Sequence, residues 1–454
     1  MNYDIDKIVP DYANRNFWEH FTAELSNEFT QAVDEGLDVE KYADLFKVVS
    51  NLPAGETKKK MGDVLFEAVM KAGIRPDYKY TEPSSLEEIR ALRKAHNFEK
   101  KIPDRETLEK KIHGAWMGRV CGCLLGKPVE GIRSEDMKIL LEGTKNTPMN
   151  RYINKSEITD EIYEKCAFNL KNKCFADVTC GMPIDDDTNY MVLYQIIIEN
   201  YSKDFTPSDV AKAWQKYQPI DNYFTAERIA FINFVNGFTP PYSAVYKNPC
   251  REWIGAQIRG DYFGYINPGN TEKAAEMAFR DACISHVKNG IYGEMFASAM
   301  IAAAAVTDSI EDIILAGLGE ISHTSRLYDS INSVLEDYRN GVAPENVFGR
   351  IHKEYDEHTG YGWCHTIPNA MIVATALLYG GGDFGKSICM AVEACFDTDC
   401  NGATVGSVLG MRNTIDAIGE EWTKPVDDTI YTSVSGFEKV KISDCVKLNI
   451  KHLG

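Results

Sequence analysis

The chain has 454 residues, 44% hydrophobic and 26% charged, and a formal charge of −18 at neutral pH. That length buries a substantial core and suggests two or three domain-sized units, or one large domain with additions. The acidic balance argues against a nucleic-acid partner, which needs a basic face to neutralise phosphates. The longest apolar run, "MFASAMIAAAAV" (295–306), is too short to span a bilayer and reads as a tightly packed core helix.

The opening stretch "MNYDIDKIVPDYANRNFW" has no basic region followed by an apolar one, so no secretory leader and a cytoplasmic location are expected. Residues 1–105 read as a charged, helical N-terminal extension of unknown role. "FWEHFTAELSNEFTQAVDEGL" has helical apolar spacing ended by Gly36. "KMGDVLFEAVMKAG" repeats the pattern with Gly73 as its expected C′ residue. The lysines of "ETKKKMG" read as a solvated helix start, and Ser84 or Ser85 with Glu87 or Glu88 starts another helix.

From about residue 106 the texture changes, and 106–454 reads as a second, main domain. In "KKIHGAWMGRVCGCLLGKPVEG" (110–131), glycines at 114, 118, 122 and 126 recur every fourth residue and share one helix face, where another backbone can approach. Pro128 ends that helix and leaves Glu130 on the following loop. "MPIDDDTNYMVLY" (182–194) then sets Asp185, Asp186 and Asp187 before a helix that is apolar nearly all round. The stretch 204–270 is mixed: "FTPPYSAVYKNPC" reads as loop, and "GAQIRGDYFGYINPGN" as irregular, with glycines that allow "GYINPGN" to meet a phosphate through backbone N–H groups. Helices return over 272–340, and "YGWCHTIPNAMIVATALLYGGGDF" leads from a loop into another buried helix. His323, His352 and His358 are expected at the surface or at helix ends.

"FDTDCNGATVGSVLG" (396–410) mirrors the first acidic cluster. Asp397 and Asp399 precede a second glycine stripe at 402, 406 and 410. The tail segment "VKISDCVKLNI" reads either as a strand or as a short helix capped by Ser443-Asp444 that buries Val446 and Leu453. The twelve cysteines form no CxxC pair and have no zinc spacing, so they are expected as reduced, buried thiols, Cys400 apart. The absence of alternating strands and helices predicts an all-α body with minor β additions. One aspartate before a helix is explained by capping. Two acidic clusters, each feeding a core helix, point further, to oxygen ligands for a hard divalent cation.

Three of these segments resemble the ADP-ribosylglycohydrolase family, over roughly residues 110–425. "GRVCGCLLGKPVEG" resembles its glycine-rich first helix with terminal Glu, "DDDTNYMVLY" its Thr-Asp-Asp-Thr helix start, and "FDTDCNGATVGSVLG" its Gly-Asp-Thr-Asp-Thr-Asn segment. The resemblance implies a compact, all-α, multi-helix orthogonal bundle. It also implies two Mg²⁺ ions, with Mn²⁺ as the alternative, and hydrolysis of an ADP-ribosyl or related ribosyl glycosidic bond. Asp186 with Asp187 and Asp397 with Asp399 match its metal ligands, and Glu130 matches its catalytic acidic residue. The partner would be an ADP-ribosylated protein or an ADP-ribose-like small molecule. Asp185 and Cys400 stand where the family has threonines, so both are carried as metal-site residues of this chain, and Cys123 stands where many relatives have Asp. "ISHVKNGIYGEMFASAM" and "CHTIPNAMIVATALLYG" are similar to further family segments, which implies cleft-lining roles for His286, His365 and Asn369. Two alternatives stay open: a non-catalytic binder of ADP-ribose or a nucleotide-sugar, and a glycoside hydrolase for a different small metabolite.

Overall fold

The computed structural model describes residues 16–453; the start of the expected extension, including most of the stretch read for a leader, lies outside them. The described chain is all-α apart from one short antiparallel pair, Thr429–Tyr431 with Lys439–Lys441. No helix among the described residues is long and apolar enough to cross a membrane.

Two antiparallel helices form the central seam, Arg105–Gly126 and Thr398–Asn413. Their glycine stripes interlock. A Cβ added at Gly114, Gly118 or Gly122 would collide with the carbonyl oxygen of Gly410, Gly406 or Gly402, and the same additions on the second helix would collide with the first. Only hydrogen fits between these backbones, which explains the four-residue spacing in both motifs. The order of contacts has a consequence for the site. Because the helices run oppositely, Gly126 at the end of one packs on Thr398 and Asp399 at the start of the other. Lys127 and Glu130 are thereby carried to the second acidic cluster.

Around the seam pack the buried helices Asp186–Tyr201, Lys288–Ala304 and Thr366–Gly380. The alanine-rich run lies in Lys288–Ala304, buried from Asn289 onward. The stretch 204–270 is more regular than its composition suggests. It contains helices Pro207–Tyr217, Thr225–Val235 and Tyr242–Val245, and "GAQIRGDYFGYINPGN" is buried around the short helix Asp261–Tyr265. Its charges permit that burial, because Arg259 binds Asp281 and Asp261 binds Arg119. Gly264 and Gly269 pack on Ile301 and Val306, so this segment is core and offers no phosphate loop.

The tail uses both of its expected conformations, a strand at Lys439–Lys441 and then a helix at Ile442–His452. Ser443 does not cap that helix; its N–H and hydroxyl donate to Asp428. Residues 21–69 form their own small core around Phe21, Leu25, Phe46, Leu65 and Val69. Helix Leu25–Asp34 ends before Gly36, which has φ of +80°, and Ser85 caps Leu86–Leu92 as its sequence suggests. Gly73 takes no left-handed turn; the helix Glu56–Met70 closes through Lys71 instead.

Candidate active site

The two acidic clusters meet at one cavity of about 510 Å³. Asp185, Asp186, Asp397, Asp399, Glu130 and Cys400 all line it. Two separate loops deliver them. The first runs beside the strand pair, where the Met182 N–H donates to the Thr429 carbonyl and the Tyr431 N–H to that of Met182. It ends at Asp185, the N-cap of Asp186–Tyr201, whose side chain accepts the Asp187 N–H at 2.9 Å. Capping therefore accounts for one carboxylate of the three.

The second loop is held by Asn369. Its Oδ1 accepts the Asp397 N–H at 3.1 Å and the Asn401 side-chain amide at 2.8 Å, while its own amide donates to the carbonyls of Trp363 and His365. Asn369 is thus a buried clamp that sets the direction of Asp397. His365 caps Thr366–Gly380, its Nδ1 accepting the Ile367 N–H. His286 is fully buried with Nδ1 against the Ser285 hydroxyl at 2.8 Å, and burial, aided by Arg259, pushes its pKa far down. None of these three lines the cavity. The three were expected to line the cleft; of the segment that holds His365 and Asn369, Cys364 is the residue that does.

The carboxylates differ in what they already hold. Asp187 is wholly buried, accepts Arg119 at 2.9 Å, and accepts the Cys400 thiol at 3.2 Å. Asp185 pairs with Lys127 at 2.5 Å. Asp399 accepts the Cys400 N–H at 3.1 Å. Asp397 Oδ2 takes only a long contact from the Cys364 thiol, and its Oδ1 is buried with no hydrogen-bond partner. Asp186 has no hydrogen bond among the described residues and faces the cavity.

Six carboxylates, those of Glu130, Asp185, Asp186, Asp187, Asp397 and Asp399, therefore share two cationic side chains, Lys127 and Arg119. The remaining repulsion appears in the titration. Burial, with neighbouring carboxylates adding, raises Asp186, Asp187 and Asp397 well above the usual range and Asp399 to about 6. Glu130 is raised chiefly by the charge on Asp399. Burial also raises the Cys123 and Cys400 thiols, so both stay protonated.

This donor set fits a hard divalent cation. The unmatched atoms are carboxylate oxygens, and Asp397 Oδ1 is a buried acceptor without a donor. Ligand atoms of Asp185, Asp187, Asp399 and Cys123 lie within 4.8 Å of one another, as do those of Asp397, Asp399 and Cys400. The protonated thiols serve better as hydrogen-bond donors than as ligands, as Cys400 does toward Asp187.

Sequence reasoning missed Lys127, Arg119 and Glu227. Glu227 lines the cavity and binds Arg259 at 2.8 Å. Arg119 carried a signal: a charge inside a glycine-striped helix that must be buried needs a partner. His352 and His358 lie at a helix end and at the surface, and His323 is half-buried.

The described chain is an all-α bundle in which two acidic helix starts face one cleft. The chain belongs to the ADP-ribosylglycohydrolase family, whose sequence model matches residues 104–445. An uncharacterized protein from Archaeoglobus fulgidus is 22% identical over 326 residues, covering 71% of this chain and 93% of its own. A solved structure titled "ADP-ribosylglycohydrolase-related protein complex" aligns with a TM-score of 0.49 at 16% identity, over 77% of this chain and 98% of that one.

Proposed function

We propose that the chain is a divalent-cation-dependent hydrolase of a ribosyl glycosidic bond, with ADP-ribosyl conjugates the substrate class the family suggests. One observation carries this reading: two acidic helix starts and Glu130 converge on a single cavity in which Asp397 Oδ1 has no partner.

In this reading Asp186, Asp397 and Asp399 hold the cation, Mg²⁺ or Mn²⁺, with Asp185 and Asp187 completing the negative field. When bound, the cation would supply positive charge to fix sugar hydroxyls and polarise water. The chain's own groups do the rest. Glu130, which lines the cavity beside the acidic cluster, takes the proton of the attacking water. The remaining carboxylates favour the positive charge that develops on the sugar as the bond to C1″ breaks. Lys127 and Arg119 hold Asp185 and Asp187 in orientation. The unpaired cysteines accord with a cytosolic setting.

Ribose release from ADP-ribosyl and simpler ribosyl conjugates tests the proposal. Asp186→Ala and Asp397→Ala should each lower kcat/KM at least a hundredfold, and a chelator should abolish turnover. Folded variants with full activity would contradict it. A second reading, a binder without catalysis, is favoured by one feature: Asp185 and Cys400 are already committed to Lys127 and Asp187. Calorimetry that found tight ADP-ribose binding with no turnover under any divalent cation would select that reading.

A further inference from the structure

This inference rests on the hydrolase reading and names the substrate class. We propose that the cleft takes a small ribosyl conjugate whose leaving group is a planar cation, an N-ribosylpyridinium nucleoside being the simplest example, held against a wall supplied by the N-terminal region.

Phe17, Trp18, Glu24 and Asn27 line the same cavity as Asp186 and Glu130. They face Phe224 and Trp253 of the body, with the Trp18 and Phe224 rings 6.0 Å apart and nearly perpendicular. The wall is fixed in place. Arg228, on the helix that starts at Thr225, binds Glu19, and Arg251 binds Glu28 at 2.9 Å and Glu35 at 2.6 Å. The residues nearest the cleft are therefore part of the site and are held there by buried charge.

The chemistry of this wall selects a cation. Aromatic rings attract positive charge at their faces, and Glu24 and Glu130 add carboxylates around them. Lys127 is the basic residue among the described lining residues, and Asp185 already holds it. At the aromatic wall, away from the cation site, no guanidinium among the described residues lines the cleft to receive a phosphate. The indole N–H groups of Trp18 and Trp253, two residues of this lining, are buried without an acceptor. About 510 Å³ accommodates a nucleoside comfortably.

The step balances. Water oxygen bonds to C1 of the ribose and the C1–N bond breaks. Its electron pair returns to the ring nitrogen, which departs as a neutral pyridine, and the water proton passes to Glu130. The leaving group needs no proton, so a single base suffices.

The test uses the full chain with Mg²⁺ and three probes: the ribosyl nucleoside of nicotinamide, its 5′-phosphate, and the corresponding dinucleotide. The expected result is a kcat/KM for the nucleoside at least tenfold above either phosphorylated probe. Glu24→Gln and Trp18→Ala should raise KM for this cation about tenfold, with a smaller effect on a neutral ribosyl purine. Preference for the phosphorylated probes, or equal losses on charged and neutral nucleosides, would overturn the inference and leave the hydrolase reading standing. If neither these probes nor ADP-ribosyl protein is cleaved, the hydrolase reading itself falls, and this inference with it.

Discussion

Two interfaces of this molecule are held together by opposite means. The seam between Arg105–Gly126 and Thr398–Asn413 is backbone against backbone, glycine opposite glycine. The N-terminal region meets the body through ion pairs, Arg251 with Glu28 and Glu35, Arg228 with Glu19, and Arg326 with Glu82, and through the buried Glu252, which accepts from Gln31 and binds Arg326. The difference maps onto function. The seam sets the position of the acidic groups, where fractions of an ångström govern ligand geometry, and close packing has little freedom to shift. The charged interface orients a wall, and ion pairs specify which surface docks more than they stabilise it.

The largest expected effect breaks the charged interface. Arg251→Ala leaves Glu28 and Glu35 buried without their main counter-charge and should cost about 3–5 kcal/mol in urea unfolding. The loss should fall on the described N-terminal residues first, which limited proteolysis would report. Next comes the seam. In Gly406→Ala the new methyl meets the Gly118 carbonyl, and the helices must part at a cost of about 3 kcal/mol. That loss should be insensitive to salt and pH, unlike the first.

The smallest effect sharpens the contrast through pH. Burial alone would raise Glu252, but Arg326, with His365 and Lys288, outweighs it and holds the carboxyl well below the usual range. A folded-state pKa below the unfolded one gives stability that is present above the unfolded value and lost as pH falls through the folded one. Glu252→Gln should therefore cost about 2 kcal/mol at neutral pH. The gap from the wild type should stay constant down to the ordinary carboxylate range near pH ~4 and close below it. A gap that widened on acidification would contradict the assignment.

Much of this was legible in the sequence, because the signals were local. Glycines every fourth residue in two segments foretold a close helix contact, and Asp185 before an apolar helix foretold a cap. The acidic positions at 130, 186, 397 and 399 could be set in one site only through the family resemblance; spacing alone does not say that the glycine helices pair antiparallel. What was not legible depended on long-range docking. Lys127 reads as an ordinary lysine until the fold brings it to Asp185, and Phe17 and Trp18 read as the start of a helical extension until ion pairs far along the chain lay them over the cleft. His365 and Asn369 were expected to line the cleft; His365 Nδ1 instead caps a helix, and the Asn369 amide is spent on backbone groups and on Asn401.

The most direct test of a shared cation site is a calorimetric titration of Mg²⁺ into the wild type and Asp397→Asn. The wild type should bind, and the variant, whose amide removes the negative charge from a buried oxygen that has no donor, should bind at least tenfold more weakly. Equal affinity and stoichiometry in the two proteins, or no binding by the wild type, would contradict the joining of the two acidic clusters around a cation.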